Sequence, residues 1–153
     1  MKKNTFFKIF AFLFYTVIFQ SCFNFGYVDE NHFIGTWEMK GRKIYSHMKI
    51  HIVKEDSELK GYIISPPSNN YGQMFVKTDE IWIKEINRCS NYHFEIIEQK
   101  IASELLATYG LDANSVFYAT FSENKEKIYL TKEKPNRFTQ ESDIYYERIG
   151  RNK

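Results

Sequence analysis

Cysteine is nearly absent from these 153 residues, with only Cys22 and Cys89 present. Two thiols cannot build the disulfide framework on which the smallest exported scaffolds depend, so a stable domain must rest on an apolar core. Leucine is scarce after residue 22, where only Leu59, Leu105, Leu106, Leu111 and Leu130 occur. That is a poor supply for the packing stripes of a helical bundle. No apolar run reaches the ~20 residues that a membrane-crossing helix needs. There is no excess of one charge either: without Lys2, Lys3 and Lys8 at the N-terminus, 18 basic residues face 19 acidic ones. A formal charge near −1 supplies no electrostatic pull toward nucleic acid or anionic lipid. The Gly-x-Ser-x-Gly elbow, the Walker loop and the dinucleotide glycine fingerprint are all missing.

The N-terminus is the most informative stretch. Lys2, Lys3 and Lys8 precede an apolar run from Ile9 to Phe19. As a helix it would span about 16 Å at ~1.5 Å per residue, too short for a bilayer core but right for a secretory signal. The run ends Phe19-Gln20-Ser21-Cys22. This resembles the lipobox of bacterial lipoproteins, with Ser21 at the small position and departures at Phe19 and Gln20. The resemblance implies a signal peptide over residues 1–21, cleavage before Cys22, and acylation of Cys22 with chains such as palmitate. Residues 22–32 then form a lipidated tether, and the protein is exported and anchored in the cell envelope. The outer membrane is the expected location, with leaflet and face open. The alternatives are an ordinary signal cut elsewhere, an uncleaved anchor, or a Cys22–Cys89 disulfide.

The remainder, residues 33–150, reads as one domain of short strands. Aromatic residues make up 18% of the chain, and with β-branched residues they favour strands. Met48, Ile50 and Ile52 alternate with His47, Lys49 and His51, and the turn Glu55-Asp56-Ser57-Glu58 leads into a second arm, Leu59 to Ser65. That is the clearest hairpin. Gln73 to Lys77 reads as a further strand, and the spacing of Ile101, Leu105 and Tyr109 predicts one helix over 98–109. About nine strands, one short helix and local connections predict an all-β antiparallel meander, closed as a small barrel or folded as a β-sandwich.

Gly35-x-Trp37 opens this domain and Tyr145-Tyr146-Glu147-Arg148 closes it. The pairing resembles the lipocalin and wider calycin pattern, and implies a lipocalin-like β-barrel. In that pattern a tryptophan seals one end of the barrel and an arginine of the last strand packs on its indole, a favourable cation–π arrangement. Gly35, Trp37 and Arg148 are thus the expected barrel-closing residues. The sequence departs from the pattern in its short first connection and in the mid-chain position of its helix.

Chemistry is thinly represented. His47 and His51 would sit ~13 Å apart on a strand, too far to share a metal ion. Cys89 has Arg88 beside it, but a structural thiol is the simpler reading. Glu95, Glu98 and Glu104 read as wet positions. No catalytic residue, metal or cofactor is expected, and the chain does not read as an enzyme. Trp82, Phe94, Phe117, Tyr118 and Tyr146 are candidates to line an apolar ligand pocket, against the alternative that they are simply core. The leading expectation is a membrane-anchored lipoprotein that binds a small apolar or amphipathic ligand in its barrel. The alternative is an interaction lipoprotein, such as an envelope-assembly accessory, a hydrolase inhibitor or an immunity protein. The first expects a cavity that the side chains leave unfilled. The second expects a filled core and an exposed aromatic patch.

Overall fold

A computed structural model describes residues 26–100 and 102–150. The expected signal peptide and Cys22 lie outside them. After a 3-10 turn at Glu30–Phe33 come eight strands: β1 Gly35–Lys40, β2 Lys49–Glu55, β3 Glu58–Ser65, β4 Ile81–Arg88, β5 Phe94–Gln99, β6 Asn114–Phe121, β7 Lys127–Thr131 and β8 Tyr145–Gly150. Each pairs antiparallel with the next, and β8 returns to β1. The ring is a closed barrel. Closure removes both sheet edges and with them the unpaired backbone groups that a sandwich would have to protect.

Period-two patterning decides which side chains turn inward. Along β1, Gly35, Trp37 and Met39 are buried while Thr36, Glu38 and Lys40 lie partly exposed. Ile50 and Ile52 of β2, Phe94 and Ile96 of β5, and Phe117, Ala119 and Phe121 of β6 continue the core. The hairpin between β2 and β3 turns at Asp56 and Ser57, both with positive φ, as a two-residue primed turn requires to match strand twist. Gly41, just after β1, has a φ of +81°, and a Cβ there would fall 1.8 Å from the Asp143 carbonyl oxygen. Only glycine fits.

Two short helices replace the single one expected. Asn70–Phe75 (α1) takes most of the segment read as a strand from Gln73, and Ser103–Thr108 (α2) is shorter than the helix read over 98–109. The cause at α1 is a cap: the Asn69 side chain accepts from the Gly72 amide at 2.7 Å, a stabilisation that alternation counting does not see. At α2, β5 continues through Gln99 because Glu98 is its third inward residue after Phe94 and Ile96.

Successive connections in a meander lie at alternate ends of the barrel. The tight turns after β2, β4 and β6 gather at one end, together with the N-terminal segment. There the Val28 amide donates to the Asn91 carbonyl at 2.8 Å, and Val28 is buried. The β1–β2 loop, α1 and α2 gather at the other. The β7–β8 segment doubles back along the outside of β6, where Thr139 Oγ1 donates to the Phe121 carbonyl at 2.8 Å and Gln140 exchanges hydrogen bonds with Thr120. This cover explains why the outward-pointing Thr120 is buried. The eight strands and the buried core cluster lie within the described residues from 28 to 150.

Candidate functional site

The two ends of the barrel differ in chemistry. At the end with the tight turns, Phe33 packs against Phe121 at 4.7 Å and edge-on to Phe94 at 4.8 Å between ring centroids. Trp37 Nε1 donates to the Phe33 carbonyl at 2.7 Å. The Arg148 guanidinium carbon sits 4.0 Å from the Trp37 ring, its Nη1 donates to the Ile34 carbonyl at 3.1 Å, and its Nη2 donates to the His32 carbonyl. These contacts seal the floor with an indole, three phenyl rings and a guanidinium. Sequence reading missed a second arginine here. Arg88 lies over Phe94 and Tyr27, donates to the Val28 carbonyl at 2.8 Å and pairs with Glu30 at 3.1 Å. It fastens the N-terminal segment to the floor. It is therefore not beside Cys89 as an activating charge: that thiol is exposed, and partial burial followed by the nearby Glu95 charge raises its pKa.

At the opposite end a polar chain crosses the barrel interior. Trp82 Nε1 donates to the Tyr146 hydroxyl at 2.7 Å, that hydroxyl donates to Glu98 Oε1 at 2.5 Å, and Arg42 Nη1 donates to Glu98 Oε2 at 2.6 Å. Glu98 is only 1% exposed, so the expectation that it faces water is overturned. Alternation along β5 puts it inside, and the Arg42 cation with the Tyr146 hydroxyl offsets the cost of burying its charge. Trp82 stands on β4 and Tyr146 on β8, opposite one another in a ring of eight strands. Their hydrogen bond therefore spans the lumen. Side chains block the barrel at this level.

The five candidate ligand residues separate accordingly. Trp82, Phe117 and Tyr146 surround the polar chain, with the Arg42 guanidinium 4.3 Å from the Phe117 ring. Phe94 belongs to the sealed floor. Tyr118 lies between the inward-facing Phe117 and Ala119, so alternation turns it outward, and it is half-buried.

Burial, then the Glu98 charge, raises the Tyr146 pKa well above its ordinary value of 10.0. The neutral phenol is the folded form, so its contribution to stability is full below the unfolded-state pKa and is lost as pH climbs through the folded one. Stability should fall above about pH 10 with a slope approaching ~1.4 kcal/mol per pH unit. In urea unfolding, Tyr146→Phe should cost about 1–3 kcal/mol at neutral pH and remove that part of the alkaline slope. Equal alkaline slopes in the two proteins would refute the assignment.

Above the polar chain lies a shallow hollow of about 730 Å³ at the barrel mouth. Its walls are Ile44 and Tyr45 from the β1–β2 loop, Tyr71 and Phe75 of α1, and Leu106 of α2, with Lys43 and Lys100 at its rim. Asn69 joins two of these elements, because its side-chain amide donates to the Ile44 carbonyl at 2.5 Å. A neighbouring hollow of about 450 Å³ lies over Trp82, between α1 and the start of α2. A third, of about 910 Å³, is polar and lies outside the barrel between the β6–β7 turn and the β7–β8 segment.

Among the described residues no group of three His, Cys, Asp or Glu converges as a metal-holding set. His47 instead meets Glu38 at 2.7 Å, and His51 meets Thr36 at 3.0 Å. No helix in the described residues is long and apolar enough to cross a membrane. The barrel thus presents one sealed end, one apolar mouth with a polar chain beneath it, and no match to any family model, curated protein or solved structure against which the chain was compared.

Proposed function

We propose that this chain is an exported lipoprotein, acylated at Cys22, that binds a small amphipathic molecule at the open end of its barrel. The observation that carries the reading is the mouth hollow, with apolar walls from three separate connections and lysines at its rim. Its volume falls within the ~300–1,000 Å³ of ordinary ligand sites, which are apolar with a few placed polar groups. In this reading the ligand sits above Tyr146, at the mouth, because Trp82 and Tyr146 bridge the lumen beneath it, and not deep in the barrel as the resemblance to lipocalins would suggest. The floor residues Gly35, Trp37 and Arg148 act as structure in this reading.

The anchor fits the same arrangement. Four peptide links separate Cys22 from Gly26, a reach of at most about 14 Å at ~3.5 Å per residue. Gly26 lies against Phe138 at the sealed end. An acylated Cys22 would therefore hold the sealed end near the membrane and turn the mouth away from it.

One observation favours a protein partner as the second reading. Tyr71 and Met74 of α1 and Tyr109 just after α2 are 78%, 72% and 75% exposed, and large side chains presented to solvent in this way are common interaction anchors.

The test is native mass spectrometry of the chain purified from its own envelope in mild detergent, with organic extraction of anything retained. A discrete amphipathic molecule that is retained by the wild type and lost with Phe75→Asp supports the ligand reading. Protein that is bare and also fails to take up a fluorescent apolar probe refutes it and leaves the partner reading. Metabolic labelling with palmitate, abolished by Cys22→Ser, tests the anchor independently.

A further inference from the structure

The sealed end is not the same all the way round. In a ring of eight antiparallel strands the β2–β3 turn and the β6–β7 turn stand on opposite sides. The β2–β3 side is acidic, with Glu55, Asp56 and Glu58 all exposed. The other side is aromatic. Tyr27 is 55% and Phe138 40% exposed, although the core beneath them is closed. Phe138 packs on Tyr92 of the β4–β5 turn, at 5.0 Å between centroids, and against Gly26. Each exposed ring also carries a cation. Lys125 Nζ lies 5.3 Å from the Phe138 centroid, and the Arg88 guanidinium carbon lies 4.5 Å from that of Tyr27. Glu30 pairs with Arg88 and Glu123 shares a turn with Lys125, so this side is near charge balance and offers rings instead of net charge.

An exposed aromatic ring with a cation beside it suits a membrane interface. The ring takes the boundary between acyl chains and head groups, and the cation reaches the phosphates. The chain leading to the anchor has the same character. From Phe23 to Tyr27 it is uncharged, with an aromatic residue at every second position, unlike the glycine- and serine-rich composition of a solvated linker.

We propose that Tyr27 and Phe138 form a membrane-docking face. It lays the barrel on the bilayer by the side of the β4–β5 and β6–β7 turns and lifts the acidic β2–β3 turn clear. The partner is a lipid surface, and because rings make the contact a neutral bilayer suffices. This rests on the acylation of Cys22 proposed above, which brings this end within reach of lipid. The docking face adds an orientation that an acyl tether alone does not impose.

The experiment uses the full acylated protein in phosphatidylcholine vesicles. Once Cys22 is acylated, Cys89 is the free thiol that remains, and it is exposed in the same β4–β5 connection as Tyr92. A nitroxide on Cys89 reports on the docking side. Nitroxides at Glu58→Cys and Tyr71→Cys, each combined with Cys89→Ser, report on the acidic turn and the mouth. Bound to vesicles, the Cys89 label should be shielded several-fold more from a water-soluble nickel chelate than the other two, each normalised to the soluble Cys22→Ser chain. Tyr27→Ser with Phe138→Ser should return Cys89 to the level of Glu58→Cys. Equal accessibility at all three positions would overturn the docking face and leave the body on a free tether. Greater shielding at Tyr71→Cys would overturn it by placing the mouth on the bilayer. Shielding of Cys89 that survives the double serine variant would overturn it by assigning the contact to other residues. Palmitate labelling of the same preparation separates the two failures. Unlabelled protein that stays out of the vesicle fraction refutes the anchor, whereas labelled, vesicle-bound protein with any of the three adverse results refutes the docking face alone.

Discussion

Trp37→Ala should lower the unfolding free energy by about 3–5 kcal/mol, the range for removing a large aromatic side chain from a packed core. Trp37 has no exposed surface, and its indole is held from three directions: Phe121 at 6.3 Å between centroids, the Arg148 guanidinium at 4.0 Å, and the Phe33 carbonyl at 2.7 Å from Nε1. Alanine leaves a cavity at the floor, an acceptor without its donor, and a guanidinium without the ring beneath it. Surrounding strands cannot collapse into that space, because a closed ring fixes their separation. Trp37→Phe should cost less, since it keeps part of the volume and loses the indole N–H. Urea denaturation at neutral pH measures both, and an unchanged slope would show that the surface exposed on unfolding is the same and that the change is one of stability. A Trp37→Ala loss under about 1 kcal/mol would mean the floor is not a structural seal.

Glu98→Ala should cost about as much, 3–5 kcal/mol, for a different reason. It strands the Arg42 charge in the upper interior and leaves the Tyr146 hydroxyl without its acceptor. Breaking one side of a buried ion pair is far worse than removing both. Removing both partners should therefore recover most of the loss from the stranded charge: in the cycle of Glu98→Ala, Arg42→Met and the double variant carrying both, the coupling energy should be about 2 kcal/mol or more. Additive losses would show that the two residues stabilise the barrel independently, contrary to the 2.6 Å contact between them.

The contrast between Trp37 and Glu98 marks how much was legible beforehand. Trp37 was identifiable because its neighbours Gly35 and Arg148 stand at the two ends of the domain, and β1 and β8, paired in register at Trp37 and Arg148, carry them together. Glu98 was misread because a single charged residue in an alternating strand looks the same whether its face is wet or holds a buried cation. The partner that decides the matter, Arg42, is 56 residues away in sequence. Arg88 was seen only as a neighbour of Cys89, and its role at the floor escaped notice for the same reason, since its rings and the Val28 carbonyl come from the N-terminal segment and from β5. The second half of helix α1 was read as part of a strand because the helix owes its stability to an asparagine cap and to Gly72 packing on Pro67, not to periodicity.

The sequence by itself determined the all-β class, the inward faces of most strands and the β2–β3 turn, because these depend on alternation and turn chemistry within a few residues. Tertiary structure alone decided that the ring closes without an edge, that Trp82 meets Tyr146 across the lumen, and that three connections assemble an apolar mouth over the Arg42–Glu98 pair. Those features depend on which distant segments become neighbours. A buried charge is tolerated only where its partner arrives, and the partner's arrival is settled by the register and closure of the whole barrel.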